Sequence, residues 1–207
     1  MNTTTLAAFL TVDLLLVFTP GADWAYAIAA GLRDRSVVPA VAGLIAGYAG
    51  YTLLAVAGLV VIVASSPTLL TALTVAGAGY LVWLGWGVLR RPAALAASEE
   101  TMGSSRLQIM LRGVGISGLN PKALLLYFSL FPQFIDPATG WPVAAQTGLL
   151  GTLHMTACAV VYLAVGVLAR TVLKTRPAAA RAVTRASGAM MIVIGGVLLV
   201  ERLALAG

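Results

Sequence analysis

From Ser36 to Leu89 the chain runs for 54 residues without a charged side chain. As one helix rising about 1.5 Å per residue it would be roughly 80 Å long, against about 30 Å for a bilayer core. The run therefore predicts two spans and a turn. Ser65-Ser66-Pro67-Thr68 supplies that turn, with small polar residues and a proline that has no N–H to donate. Apolar length and breakers divide the remainder in the same way, giving helices near 5–32, 37–64, 69–89, 107–135, 141–170 and 182–203. Pro39 and Pro142 fall at first-turn positions, where proline is tolerated. No segment alternates as a membrane barrel strand would, and an open sheet edge cannot face lipid. The predicted fold is all-α, a polytopic membrane protein of six transmembrane helices.

Composition agrees, because 60% of the residues are hydrophobic and only 10% charged, where soluble domains carry about a quarter. The net charge of +6 forms no compact basic patch with interleaved aromatics, so no nucleic-acid partner is expected. Its placement is informative instead. Arg33 and Arg35 follow the first span, Arg90, Arg91, Arg106 and Arg112 surround the third connection, and Arg170, Lys174, Arg176, Arg181 and Arg185 crowd the fifth. The second and fourth connections and the N-terminal segment have none. By the positive-inside rule, both termini lie outside a bacterial inner (plasma) membrane. The first segment has no basic n-region and is interrupted by Asp13, so it is expected to be retained rather than cleaved. A single cysteine, Cys158, can form neither an intrachain disulfide nor a thiolate metal site, and no cofactor or metal centre is expected.

Two halves emerge, 1–91 and 107–207, joined by a cytoplasmic linker over 92–106 that is rich in Ala, Ser and Glu. Thr19-Pro20-Gly21 breaks the first span of one half and Asn120-Pro121-Lys122 the first span of the other; Trp83-Leu84-Gly85 and Val193-Ile194-Gly195 mark the third spans. Two units of three spans must face opposite ways across the bilayer, so the expected arrangement is an inverted repeat with helices 1 and 4 broken.

Both breaks lie near the middle of long apolar segments, close to the bilayer midplane, and both read as helix starts. Thr19 or Asn120 would be the N-cap and Pro20 or Pro121 the first helical residue. Two half-helix N-termini, each with roughly half a positive charge and unpaired N–H groups, would then face the interior and suit a carboxylate. Gly21 would allow close backbone approach. The plainer alternative is a pair of proline kinks that only shape the helices. Asp23 and Lys122 lie at the same depth, where a charge costs about 3 kcal/mol or more in lipid. A mutual ion pair, the helix dipoles or a zwitterionic solute could satisfy them; the plainer reading is that Lys122 snorkels and Asp23 complements its helix start. The candidate substrate-binding residues are Thr19, Pro20, Gly21, Asp23, Asn120, Pro121 and Lys122.

Asp13, ten residues before Asp23, would sit about 15 Å away along a continuous helix. It is a candidate proton acceptor on an exit route or a residue lining a vestibule. His154, the one histidine, could relay protons because imidazole titrates near neutrality, or could simply bond between helices. With Asp23 they form the candidate proton-coupling set. Most aromatics are read as anchors and packing, and Gly43 and Gly47 as a GxxxG contact face inside one copy or between two, leaving a homodimer open.

On these residues the chain resembles the lysine exporter and homoserine/threonine resistance (LysE/RhtB) family of amino-acid efflux proteins. Thr19-Pro20-Gly21-Ala22-Asp23 looks like the family's first-helix motif, though Ala22 stands where a second proline is frequent; Arg33 and Gly43 to Gly50 resemble its second segment. Gly77, Tyr80-Leu81, Leu84-Gly85 and Arg90 resemble the third-helix signature, and Asn120-Pro121-Lys122-Ala123 with Phe131-Pro132-Gln133-Phe134 is similar to the fourth-helix motif. The resemblance implies export of amino acids or related amines, driven by protons, by a membrane transporter rather than an enzyme. Asp13 and His154 match none of these motifs. A metal-ion transporter of similar architecture is the alternative, although one histidine, one cysteine and few intramembrane acids make a poor ligand set.

Overall fold

A computed structural model describes residues 1–32, 37–58, 66–90, 105–172 and 175–204. All regular elements in them are helical: α1 (Thr3–Phe18), α2 (Ala22–Leu32), α3 (Val37–Val56), α4 (Pro67–Arg90), α5 (Arg106–Gly118), α6 (Pro121–Leu125), α7 (Val143–Thr171) and α8 (Pro177–Ala204). After α6 the chain widens into a π turn over Leu126–Leu130 and tightens into 3-10 turns at Phe131–Phe134 and Pro137–Thr139. Pro132 explains the change of pitch, since it has no N–H and its ring crowds the preceding turn. The expected linker over 92–106, except its last two residues, lies outside the described residues, as do Ser65, Arg33, Arg35, Arg91 and Lys174.

Local chemistry sets the helix ends. The Asn2 side chain accepts from the Thr5 amide to start α1, and Ser105 and Gln108 form a reciprocal capping box at α5. Gly140, at φ 76°, makes the left-handed turn before α7.

α3 and α7 are each long and apolar enough to cross a bilayer. So are α1 with α2, and α5 with the helical stretch to Phe134, if each bent pair is one span; both pairs bend by 53°. The breaks expected in helices 1 and 4 are therefore present. Helix α4 packs along α8, α3 along α5 and α7, α2 along α7, and α6 against α4. Large apolar side chains such as Leu15, Leu53, Trp83, Val160 and Val193 remain on the outside, as a bilayer solvent permits.

Gly43 and Gly47 of α3 pack within the chain, whereas Gly50 faces open space. A Cβ on Gly43 would strike the Met110 carbonyl, one on Gly47 the Ser117 side chain, and one on Gly113 the Ala40 carbonyl. With hydrogen in those places α3 and α5 approach backbone to backbone, which is how small residues bind helices where burial against lipid offers no gain. The core lies inward of this contact, around Phe9, Leu44, Tyr48, Tyr127, Phe131, Leu150 and Tyr162.

Candidate functional site

The two breaks lie side by side and are tied to each other. Lys122, just inside α6, donates its ammonium to the carbonyls of Leu16 (2.8 Å) and Thr19 (3.2 Å) at the end of α1. Trp24 donates to the Val17 carbonyl at 2.9 Å. Together they serve carbonyls at the interrupted end of α1, where the Thr19 amide already reaches Leu15 and Leu16 but helical donors run out beyond them. In return Asn120 donates its amide to Asp23 Oδ2 at 2.8 Å. At the second break Tyr51 donates to the Gly118 carbonyl at 2.6 Å.

The amide sides of the two breaks differ. At the second, Asn120 is the N-cap and Pro121 the first helical residue, as expected. Its side-chain oxygen accepts from the Lys122 amide at 3.0 Å, and its carbonyl accepts from Ala123 and Leu124. Those donors are thus used locally. At the first break the expectation fails: Thr19 is the C-cap of α1, with its hydroxyl bonded back to the Leu15 carbonyl, and α2 begins only at Ala22. Pro20 lies in the gap, and Gly21, whose carbonyl accepts from Ala25, has no side chain with which to cap. The first amides of α2 have no helical acceptor in reach, and a Cβ on Gly21 would lie 3.9 Å from the Lys122 nitrogen.

Asp23, 1% exposed, stands at this open end of α2. Its Oδ2 accepts from the Tyr48 hydroxyl (2.6 Å), from Asn120 and from the Tyr162 hydroxyl (3.3 Å), so α3, α7 and the second break all hold one oxygen. Oδ1 is buried without a hydrogen-bond partner. No ion pair with Lys122 forms; that ammonium serves the α1 carbonyls, which leaves one of its three N–H donors over.

Asp13 and His154, treated separately in the sequence, meet. Asp13 Oδ1 lies 2.7 Å from His154 Nδ1, with both side chains buried. The 15 Å spacing to Asp23 assumed a continuous helix, and the bend at residues 19–21 removes that premise. His154 Nε2 is 3.5 Å from Cys158 Sγ, and the Tyr48 ring meets the imidazole edge to face at 4.6 Å. Tyr48 therefore touches His154 with its ring and Asp23 with its hydroxyl. Sequence reasoning missed Tyr48, Tyr127 and Tyr162. Tyr48 falls at mid-span rather than at an interfacial depth, and that position was the available signal.

Comparison with known proteins is decisive about ancestry. The family described as LysE type translocator matches residues 14–202. The chain belongs to that family. Among its relatives, an uncharacterized membrane protein of Vibrio cholerae is 34% identical over 157 residues, covering 74% of this chain and 75% of the relative. A homoserine/homoserine lactone efflux protein of Salmonella typhimurium is 28% identical over 92% of this chain and 94% of its own length. A leucine efflux protein of Klebsiella pneumoniae is 30% identical over 71% of each chain. No solved structure matches at a significant level.

Proposed function

We propose that the chain is a secondary-active exporter of amino acids or closely related small amines, coupled to the proton gradient and working by alternating access. The carrying observation is Asp23 Oδ1, a buried and unpartnered carboxylate oxygen on the uncapped first turn of α2, whose preceding Gly21 faces the Lys122 ammonium. A zwitterion complements that set: its ammonium takes Asp23 Oδ1, and its carboxylate takes the first α2 amides and the remaining Lys122 donor. Relatives named for efflux of homoserine and of leucine favour the same class of solute. Their names describe transport rather than turnover, and none supports the metal-ion alternative.

The framework we infer is six spans in two inverted halves, 1–91 and 107–207 with 92–106 between them, in the inner membrane with both termini outside. The helix contacts favour it. Taken span by span, exchanging the halves turns the contact of α3 with the α5–α6 span into that of α7 with the α1–α2 span, turns α4–α6 into α8–α2, and returns α3–α7 and α4–α8 to themselves. Basic residues on alternate connections set the orientation.

The test is counterflow in proteoliposomes with a panel of labelled amino acids that includes homoserine and leucine. Wild type should exchange a subset of the panel, and Asp23→Asn and Lys122→Met should exchange it far more slowly. Equal exchange by all three would remove the proposed recognition charges.

A further inference from the structure

We propose that the Asp13–His154 pair carries the coupling proton, and that loading it loosens the hold of Asp23 on the solute ammonium through the Tyr48 wall the two share. This rests on the exporter reading and assigns the proton to one of the two buried carboxylates.

The two carboxylates differ in the company they keep. Asp23 Oδ2 is held by two phenols and an amide, none of which takes or yields a proton across a physiological gradient. Asp13 is bonded to an imidazole at 2.7 Å, the side chain type whose charge ordinarily changes between about pH 5 and 8. With one proton between them, as carboxylate and neutral imidazole, the pair has charge −1. A second proton gives carboxylate and imidazolium, charge 0, and the short bond survives. The pair can thus change charge by one proton without rearranging. Asp13 Oδ2, buried and unpartnered, offers a further acceptor.

The groups facing the imidazole are Asp13 from α1, Tyr48 from α3, Tyr127 from the π turn at a ring distance of 6.0 Å, and Cys158 from α7 itself. Phenols and thiols ordinarily titrate above that range, which leaves the pair as the carrier. Lys122 is occupied one turn further along α1, at the Leu16 carbonyl. With the pair at −1, the buried set of Asp13, His154, Asp23 and Lys122 has net charge −1 and favours an added ammonium. With the pair at 0 the set is neutral, and the same ammonium is held less tightly. Solute out for proton in follows from that exchange.

Three readouts test this in Asp13→Asn and His154→Gln. Purified wild type in weakly buffered detergent near pH 7 should release protons when a panel amino acid that it exchanges is added; the variants should release none. Vesicles with a lumen one pH unit more acid than the outside, and the membrane potential clamped at zero, should accumulate solute about tenfold in wild type, the limit for one proton per solute, and not above equilibrium in the variants. Counterflow, which needs solute binding but no net proton movement, should persist within about threefold in at least one variant, His154→Gln being the one that keeps the Asp13 carboxylate. Variants that release protons or accumulate solute like wild type would overturn the assignment. Loss of counterflow in both would overturn it as well, by placing the pair in binding or folding. A wild type without counterflow for any amino acid would instead sink the exporter reading, and this proposal with it.

Discussion

The two helix breaks each carry a proline and a 53° bend and are hydrogen-bonded to one another, yet they end their helices in opposite ways. The second provides for itself: Asn120 caps α6 with its side chain and its carbonyl, so the new helix starts with its donors used. The first has Gly21 in the capping position, a threonine turned back to α1, and a carboxylate one residue into α2 with an oxygen to spare. Inverted halves are often thought of as contributing equally to a central site. Under the proposed function one break is the binding surface and the other its brace, which sends Asn120 to Asp23 and Lys122 to the carbonyls of Leu16 and Thr19.

Removing the charge at the open break should do the most damage. Asp23→Asn keeps the shape but not the carboxylate, and solute affinity measured by competition in counterflow should fall about a hundredfold, the scale of a lost charge-assisted bond. Lys122→Met removes a donor to the solute and the side-chain hydrogen bonds to the Leu16 and Thr19 carbonyls together. Affinity should fall about tenfold or more, with a lower midpoint of thermal unfolding in detergent. Asn120→Ala strikes the brace alone. A lost N-cap costs about 1 kcal/mol, or a few degrees of midpoint for a chain of this size, and affinity should fall severalfold as Asp23 loses a donor. Gly21→Ala should be the mildest, because the added methyl meets its neighbours at ordinary contact distances of 3.9 and 4.0 Å. The variant should fold normally and bind about two- to threefold less well, from crowding at the α2 terminus. A deficit at Asn120→Ala larger than at Asp23→Asn would reverse the assignment of surface and brace.

Much of this was legible in the sequence because membrane helices announce themselves by length. The 54-residue uncharged run, the two proline breaks and the costly Asp23 and Lys122 give the helical class and the place to look. What stayed hidden is what depends on packing between helices far apart in the chain. Thr19 and Asn120 look like equivalent caps on paper, and only the course of the backbone around Pro20 makes one a C-cap and the other an N-cap. Asp13 and His154 are separated by more than half the chain, and no periodicity could pair them. The types of Lys122 and Asp23 suggest an ion pair, but the carbonyls at the end of an interrupted helix, invisible in residue types, take the ammonium instead. The hydroxyls of Tyr48 and Tyr162 find Asp23 only through the fold.

The difference between the breaks is most directly measured by hydrogen–deuterium exchange with mass spectrometry on the purified protein, with and without an amino acid that it exchanges in counterflow. The amides of residues 22–24 should exchange quickly in the free protein and become protected when solute is added, while those of residues 122–124 should be protected in both conditions. Equal protection at the two breaks without solute, or solute protection confined to the second, would contradict the placement of the binding surface at the first.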